Sequence, residues 1–165
     1  MRCGHNEQCQ PDRADHDRRP DQLFFGTPTS ASGPNGLAIG PDGNLWFTEI
    51  ATNKIGRITL GGAITEFSVP AANSRPARIV PGPDGNLWFS ESQMSPPANK
   101  VGCITTGGTI TEFAIPTANS EPWGLRGFGN SVWFTERNAS KIAEISTSGQ
   151  VLQEIPTPTA NSQPV

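Results

Sequence analysis

One phrase recurs three times along this 165-residue chain. Asp42-Gly43-Asn44-Leu45-Trp46-Phe47-Thr48-Glu49 returns as Asp84-Gly85-Asn86-Leu87-Trp88-Phe89-Ser90-Glu91 and, more altered, as Gly129-Asn130-Ser131-Val132-Trp133-Phe134-Thr135-Glu136. The tryptophans stand 42 and 45 residues apart. A period of that length means one supersecondary unit copied along the chain, and strand-rich units of this size are propeller blades.

A single repeat supports that reading. Leu37 to Ile39 is a short apolar run, and Gly40-Pro41-Asp42-Gly43 is turn chemistry, with Pro presetting φ and Gly taking a positive φ. Leu45 to Thr48, Lys54 to Thr59 and Ile64 to Val69 follow as three further strands, the last stopped by Pro70. Four strands in about 42 residues is one blade, in the order inner strand, Trp strand, Lys-Ile strand and outer Thr-Glu-Phe strand. The copies span about 36–70, 77–116 and 123–158, and the second carries an insertion at Gln93 to Pro97. An outer strand near Leu23-Phe24-Phe25 precedes the first. The expected fold is all-β, a propeller of four-stranded blades with about three and a half present. Such an array leaves apolar blade faces open, so self-association to cover them is expected.

Composition narrows the functional classes. Residues 1–22 hold four basic and five acidic residues and almost nothing apolar, which reads as a disordered polar arm ahead of a propeller domain over 23–165. The repeat region carries eight basic and ten acidic residues with no basic block, which argues against nucleic acid and anionic membranes as partners. No run approaches the roughly 18 apolar residues of a membrane span. The N-terminus has no apolar signal-peptide core, which favours a cytoplasmic location if the start is genuine. Cys3, His5, Cys9 and His16 are of zinc-ligand type, but their spacing matches no common finger, and a solvated tail is the reading. Cys103 falls in a strand pattern as a small buried hydrophobe.

The wording Gly-Pro-Asp-Gly-Asn-Leu-Trp-Phe-Thr-Glu, followed by Asn53 to Thr59 and Ile64 to Phe67, resembles the virginiamycin B lyase (streptogramin lyase) family over roughly residues 23–165. The resemblance implies a seven-bladed parent of which this chain holds about half. It also implies an activity: magnesium-dependent elimination that opens the ester of a cyclic depsipeptide antibiotic, a form of antibiotic resistance, with a histidine as base. The family motif is a Glu, a Pro-like residue and a His opening an inner strand, with a second Glu closing the adjacent Trp strand. Glu121 and Glu136 match the two Mg²⁺-side carboxylates, whereas Trp123 stands at the histidine position. Ala77 stands where an earlier blade's histidine belongs, and His5 and His16 are the only histidines in the chain. An indole has no lone pair to take a proton. The chain is therefore expected to be inactive alone, and a non-catalytic ligand-binding or scaffold propeller is the alternative.

Hairpin counting gives further expectations. It sets Glu49 opposite Asn35, Glu91 opposite Ala77 and Glu136 opposite Trp123, so that Glu121, Trp123 and Glu136 converge at one rim. Glu49 and Glu91 read as structural groups that accept backbone N–H bonds from a linker. Glu66, Glu112 and Glu154 read as solvent-exposed, the three repeat tryptophans as inter-blade packing residues, and Asp42-Gly43-Asn44 as a turn rather than a calcium loop. Asn138-Ala139-Ser140 fits a glycosylation sequon only by chance.

Overall fold

The computed structural model describes residues 26–92, 99–159 and 161–165. Among these residues twelve antiparallel strands form three separate four-stranded sheets, each in simple up-and-down order. The first sheet is β1 (Pro34–Ile39), β2 (Leu45–Glu49), β3 (Lys54–Ile58) and β4 (Ile64–Ser68). The second is β5 (Pro76–Pro81), β6 (Leu87–Glu91), β7 (Lys100–Ile104) and β8 (Ile110–Ala114). The third is β9 (Pro122–Phe128), β10 (Ser131–Glu136), β11 (Lys141–Ser146) and β12 (Val151–Pro156). The inner strands β1, β5 and β9 lie side by side, as propeller blades require. The expected strand at Leu23–Phe25, the polar arm with its cysteines and histidines, and the insertion at 93–97 lie outside the described residues.

Each turn follows from its residues. Asp42 accepts from the Asn44 backbone N–H and from Trp46 Nε1 at 3.0 Å, while Gly43 takes φ +74°. Asp84 repeats the arrangement on Asn86 and Trp88. This is the turn expected from sequence, and it fixes the indole's orientation as well as the hairpin. The linkers use the recurring Asn-Ser pair. Asn73 and Asn119 adopt left-handed φ of 57°, and the serines that follow bury their hydroxyls against Asn53 Oδ1 and Asn99 Oδ1, at 2.7 and 2.6 Å.

The core lies between blades. Trp46, Ile55 and Val69, with Phe67, pack against Ile79, Phe89, Ile104 and Ile110 of the second sheet. Trp88, Val101, Cys103 and Ile115, with Phe113, pack against Phe134, Ala143 and Ile145 of the third. Trp46 stacks on Phe67 at 5.6 Å and Trp88 on Phe113 at 5.4 Å within their blades, and both belong to the inter-blade clusters as expected, whereas Trp133 lies on the open face of the third blade and in neither cluster. Phe89 lies flat over β7, where Gly102 gives the ring room that a β-carbon would fill.

The hairpin register departs from the count by one residue. Glu49 pairs with Pro34, Glu91 with Pro76 and Glu136 with Pro122. Each inner strand carries a β-bulge, two of its residues facing one on the Trp strand. A hydroxyl fills the gap. Thr48 Oγ1 accepts from Gly36 N at 2.8 Å and donates to Ala77 O of the next blade at 2.9 Å. Ser90 accepts from Arg78 N, and Thr135 from Gly124 N. The Thr/Ser that precedes each strand-end Glu is therefore the residue that holds the bulge.

Candidate functional site

Arg78 on β5 and Trp123 on β9 both fall at the bulged positions of their strands. Trp123 is half-buried there. Two guanidinium groups lie over it: Arg78 from β5 and Arg137 from the end of β10, each with Cζ 5.4 Å from the ring centroid. Arg137 Nη1 also reaches Glu121 Oε1 at 3.4 Å. Glu121 is buried and holds a left-handed φ of 50°, while its carbonyl accepts from Arg137 N. The rim is thus a cluster of Arg78, Trp123, Arg137 and Glu121. Arg78 and Arg137 carry no repeat signature, since the equivalent positions in other blades are Gly36 or Gly124 and Ile50 or Ser92, and sequence reading passed over them.

Glu136 has a different environment. It is fully buried, and neither carboxylate oxygen has a hydrogen-bond partner among the described residues. Burial first, and then the neighbouring Glu154 carboxylate, push it up to about 7, with Lys141 and Thr117 pulling the other way. Glu91 repeats this state in the second blade: burial first, then Glu112, raise it to about 8 against the opposing pull of Lys100 and Ser74. Glu49 keeps one bond, from Thr52 Oγ1 at 3.1 Å.

The bonding expected of the strand-end glutamates belongs to the outer-strand ones. Glu66 accepts from Thr29 N, Thr29 Oγ1 and Lys54 Nζ, Glu112 from Ala71 N, and Glu154 from Thr117 N and Oγ1. Lys100 and Lys141 complete ion pairs at 3.6 and 3.2 Å. Sequence reading expected these glutamates to be solvent-exposed, and the structure corrects that: each is largely covered and clamps the linker entering its own blade. Burial alone would raise Glu66, but the hydrogen bonds from Lys54 and Thr29 overcome it and hold it at about 2.

This bears on a divalent metal. The structure directs Glu121 to Arg137 and Glu136 towards Glu154, so the two carboxylates expected to share a cation have separate partners. Unpartnered carboxylate oxygens recur at Glu91, where Arg75 takes the place of Glu121, so they belong to the repeat rather than to a metal centre. Among the described residues no group of three or more His, Cys, Asp or Glu could hold a metal ion. Magnesium keeps several waters and would take both carboxylates only if they turned to one point, whereas here Arg137 engages Glu121 and Glu136 faces Glu154, so this rim does not fit it as it stands.

The family model for virginiamycin B lyase matches residues 19–165. The chain belongs to the virginiamycin B lyase family. Among solved structures, virginiamycin B lyase from Staphylococcus aureus superposes with a TM-score of 0.78 at 44% identity, over 85% of this chain and 46% of that one. A streptogramin B lyase gives 0.78 at 39% identity over the same shares. A catalytically inactive histidine-to-alanine variant of the S. aureus enzyme with quinupristin gives 0.77 at 44%, over 84% and 46%. The chain therefore spans about half the length of these relatives.

The outer faces of the first and third blades match the faces used inside. Leu37, Phe47, Ile58 and Ile64 line an open cleft of about 400 Å³ on the first blade, at the positions of Ile79, Phe89, Ile104 and Ile110. On the third blade Trp133, Ile142 and Ile155 repeat Trp88, Val101 and Phe113, and Ile142 and Ile155 are exposed. Val165 lies 3.2 Å from where a Gly124 β-carbon would sit, repeating the approach of Ala77 to Gly36.

Proposed function

We propose that this chain supplies part of a streptogramin-binding propeller, and that the ring it belongs to opens a cyclic depsipeptide ester by elimination. The supporting observation is family membership at 44% identity to a lyase, together with an inactive histidine variant of that lyase that was crystallised with quinupristin. Loss of a histidine there left a protein that still accompanies the antibiotic, and the sequence resemblance sets Trp123 of this chain at a histidine position of the family motif. The residues present can stack, hydrogen-bond and orient a ligand, but they cannot abstract a proton at Trp123. For magnesium, where the completed ring uses it, the reading looks to blades beyond these three, because Arg137 engages Glu121 and Glu136 faces Glu154.

Three blades over 46% of a relative's length scale to between six and seven for the whole ring. The two open faces are complementary, so further blades of the same protein or a second copy of the chain would complete the array. The test is incubation with a type B streptogramin and Mg²⁺, followed by mass spectrometry. No linearised product is expected from the 165-residue chain, and product is expected once blades bearing a Glu-Pro-His opening are added. No product in either case would leave the non-catalytic module as the reading.

A further inference from the structure

We infer that the rim formed by Arg78, Trp123, Arg137 and Glu121 is a binding site for a carboxylate with a planar apolar body. This goes beyond the lyase reading and does not depend on it. Arg78 and Arg137 come from different blades, yet both lie at 5.4 Å from one indole centroid. Two like charges held near one ring repel each other, and Glu121 offsets only one of them, through Arg137. Arg78 is exposed and makes no ion pair among the described residues, so among them its N–H donors are available to a ligand. The local balance is one positive charge in excess.

The chemistry selects the ligand. A guanidinium presents a planar fork that matches a carboxylate, and stacking against an aromatic ring pre-organises it. The half-buried indole offers an apolar surface beside that fork for a flat group. A divalent cation meets the opposite field, because it would have to displace Arg137 from Glu121 and sit beside Arg78.

The probe is benzoate, beside benzamide as the neutral isostere and MgCl₂, titrated into the 165-residue chain while the Trp123 indole N–H is followed by NMR. Benzoate should move that resonance saturably, benzamide should bind about tenfold more weakly, and Mg²⁺ should leave it in place. Arg78→Gln, at an exposed position, should weaken benzoate about tenfold. Glu121→Gln should tighten it by releasing Arg137, an opposite change that misfolding would not produce. Equal binding of benzamide and benzoate, or a saturable Mg²⁺ response abolished by Glu121→Gln, would overturn the proposal. Either result could be obtained whether or not the chain binds a streptogramin.

Discussion

Replacing Glu91 by Gln should make the protein more stable at neutral pH, and the gain should depend on pH in a defined way. Glu91 is 1% exposed, neither of its oxygens has a hydrogen-bond partner among the described residues, and it faces Glu112, Lys100 and Ser74. Burial, followed by the Glu112 charge, raises it from 4.5 to about 8. A carboxyl raised in the fold gives its full stability below the unfolded value of 4.5 and loses it as pH rises towards about 8. At pH 7 the unfolded chain has released this proton while the fold still holds it. The linkage at that pH costs about 3 kcal/mol relative to acid, since each pH unit contributes about 1.4 kcal/mol. Gln keeps the shape and cannot ionise, so Glu91→Gln should gain about that much at pH 7, and the difference should vanish near pH 4.5. Urea denaturation followed by tryptophan fluorescence at several pH values between 5 and 9 measures it. Parallel stability curves for the two proteins, or a loss at every pH, would show that Glu91 is ionised in the fold and refute the reasoning.

Glu136→Gln should behave in the same direction over a narrower window, since that carboxyl is raised only to about 7, and denaturation between pH 4.5 and 7 would show the gain build up and then level off. At the acid end, Glu66 is held at about 2, so its contribution is present above 4.5 and lost as pH falls towards 2; Glu66→Gln should flatten that acid limb. Thr48→Val should cost about 2 kcal/mol in urea, because Gly36 N and Ala77 O lose their shared hydroxyl in a buried bulge. Gly102→Ala should cost about 1–3 kcal/mol by pushing the Phe89 ring out of place. Ile142→Glu should reduce any self-association measured by light scattering, because it puts a charge on the open face of the third blade.

The repeat made the architecture legible because identical residues meet identical needs in each blade. Asp42 and Asp84 hold a turn and a tryptophan at once, and Asn73 and Asn119 turn each linker, so local chemistry and tertiary packing write the same letters. The register was off by one because a bulge has no apolar signature; its marks are Thr48, Ser90 and Thr135, which look like ordinary strand residues. The outer glutamates were misjudged for a related reason. Thr-Glu-Phe alternation places them on the side away from the core, but the preceding linker folds over that side and supplies N–H donors. At the rim, Glu121 and Trp123 could be picked out by position, whereas Arg78 and Arg137 could not. They lie 59 residues apart and meet only because adjacent blades bring β5 and β10 to the same indole.

The most direct test of the functional account is to follow binding and turnover in one sample: calorimetric titration of quinupristin into the 165-residue chain with Mg²⁺ present, then mass spectrometry of the recovered ligand. The account predicts saturable heat and antibiotic recovered with its ring closed. Linearised product from this chain alone would contradict it, because Trp123 offers no base and Glu121 and Glu136 offer no fit for the metal.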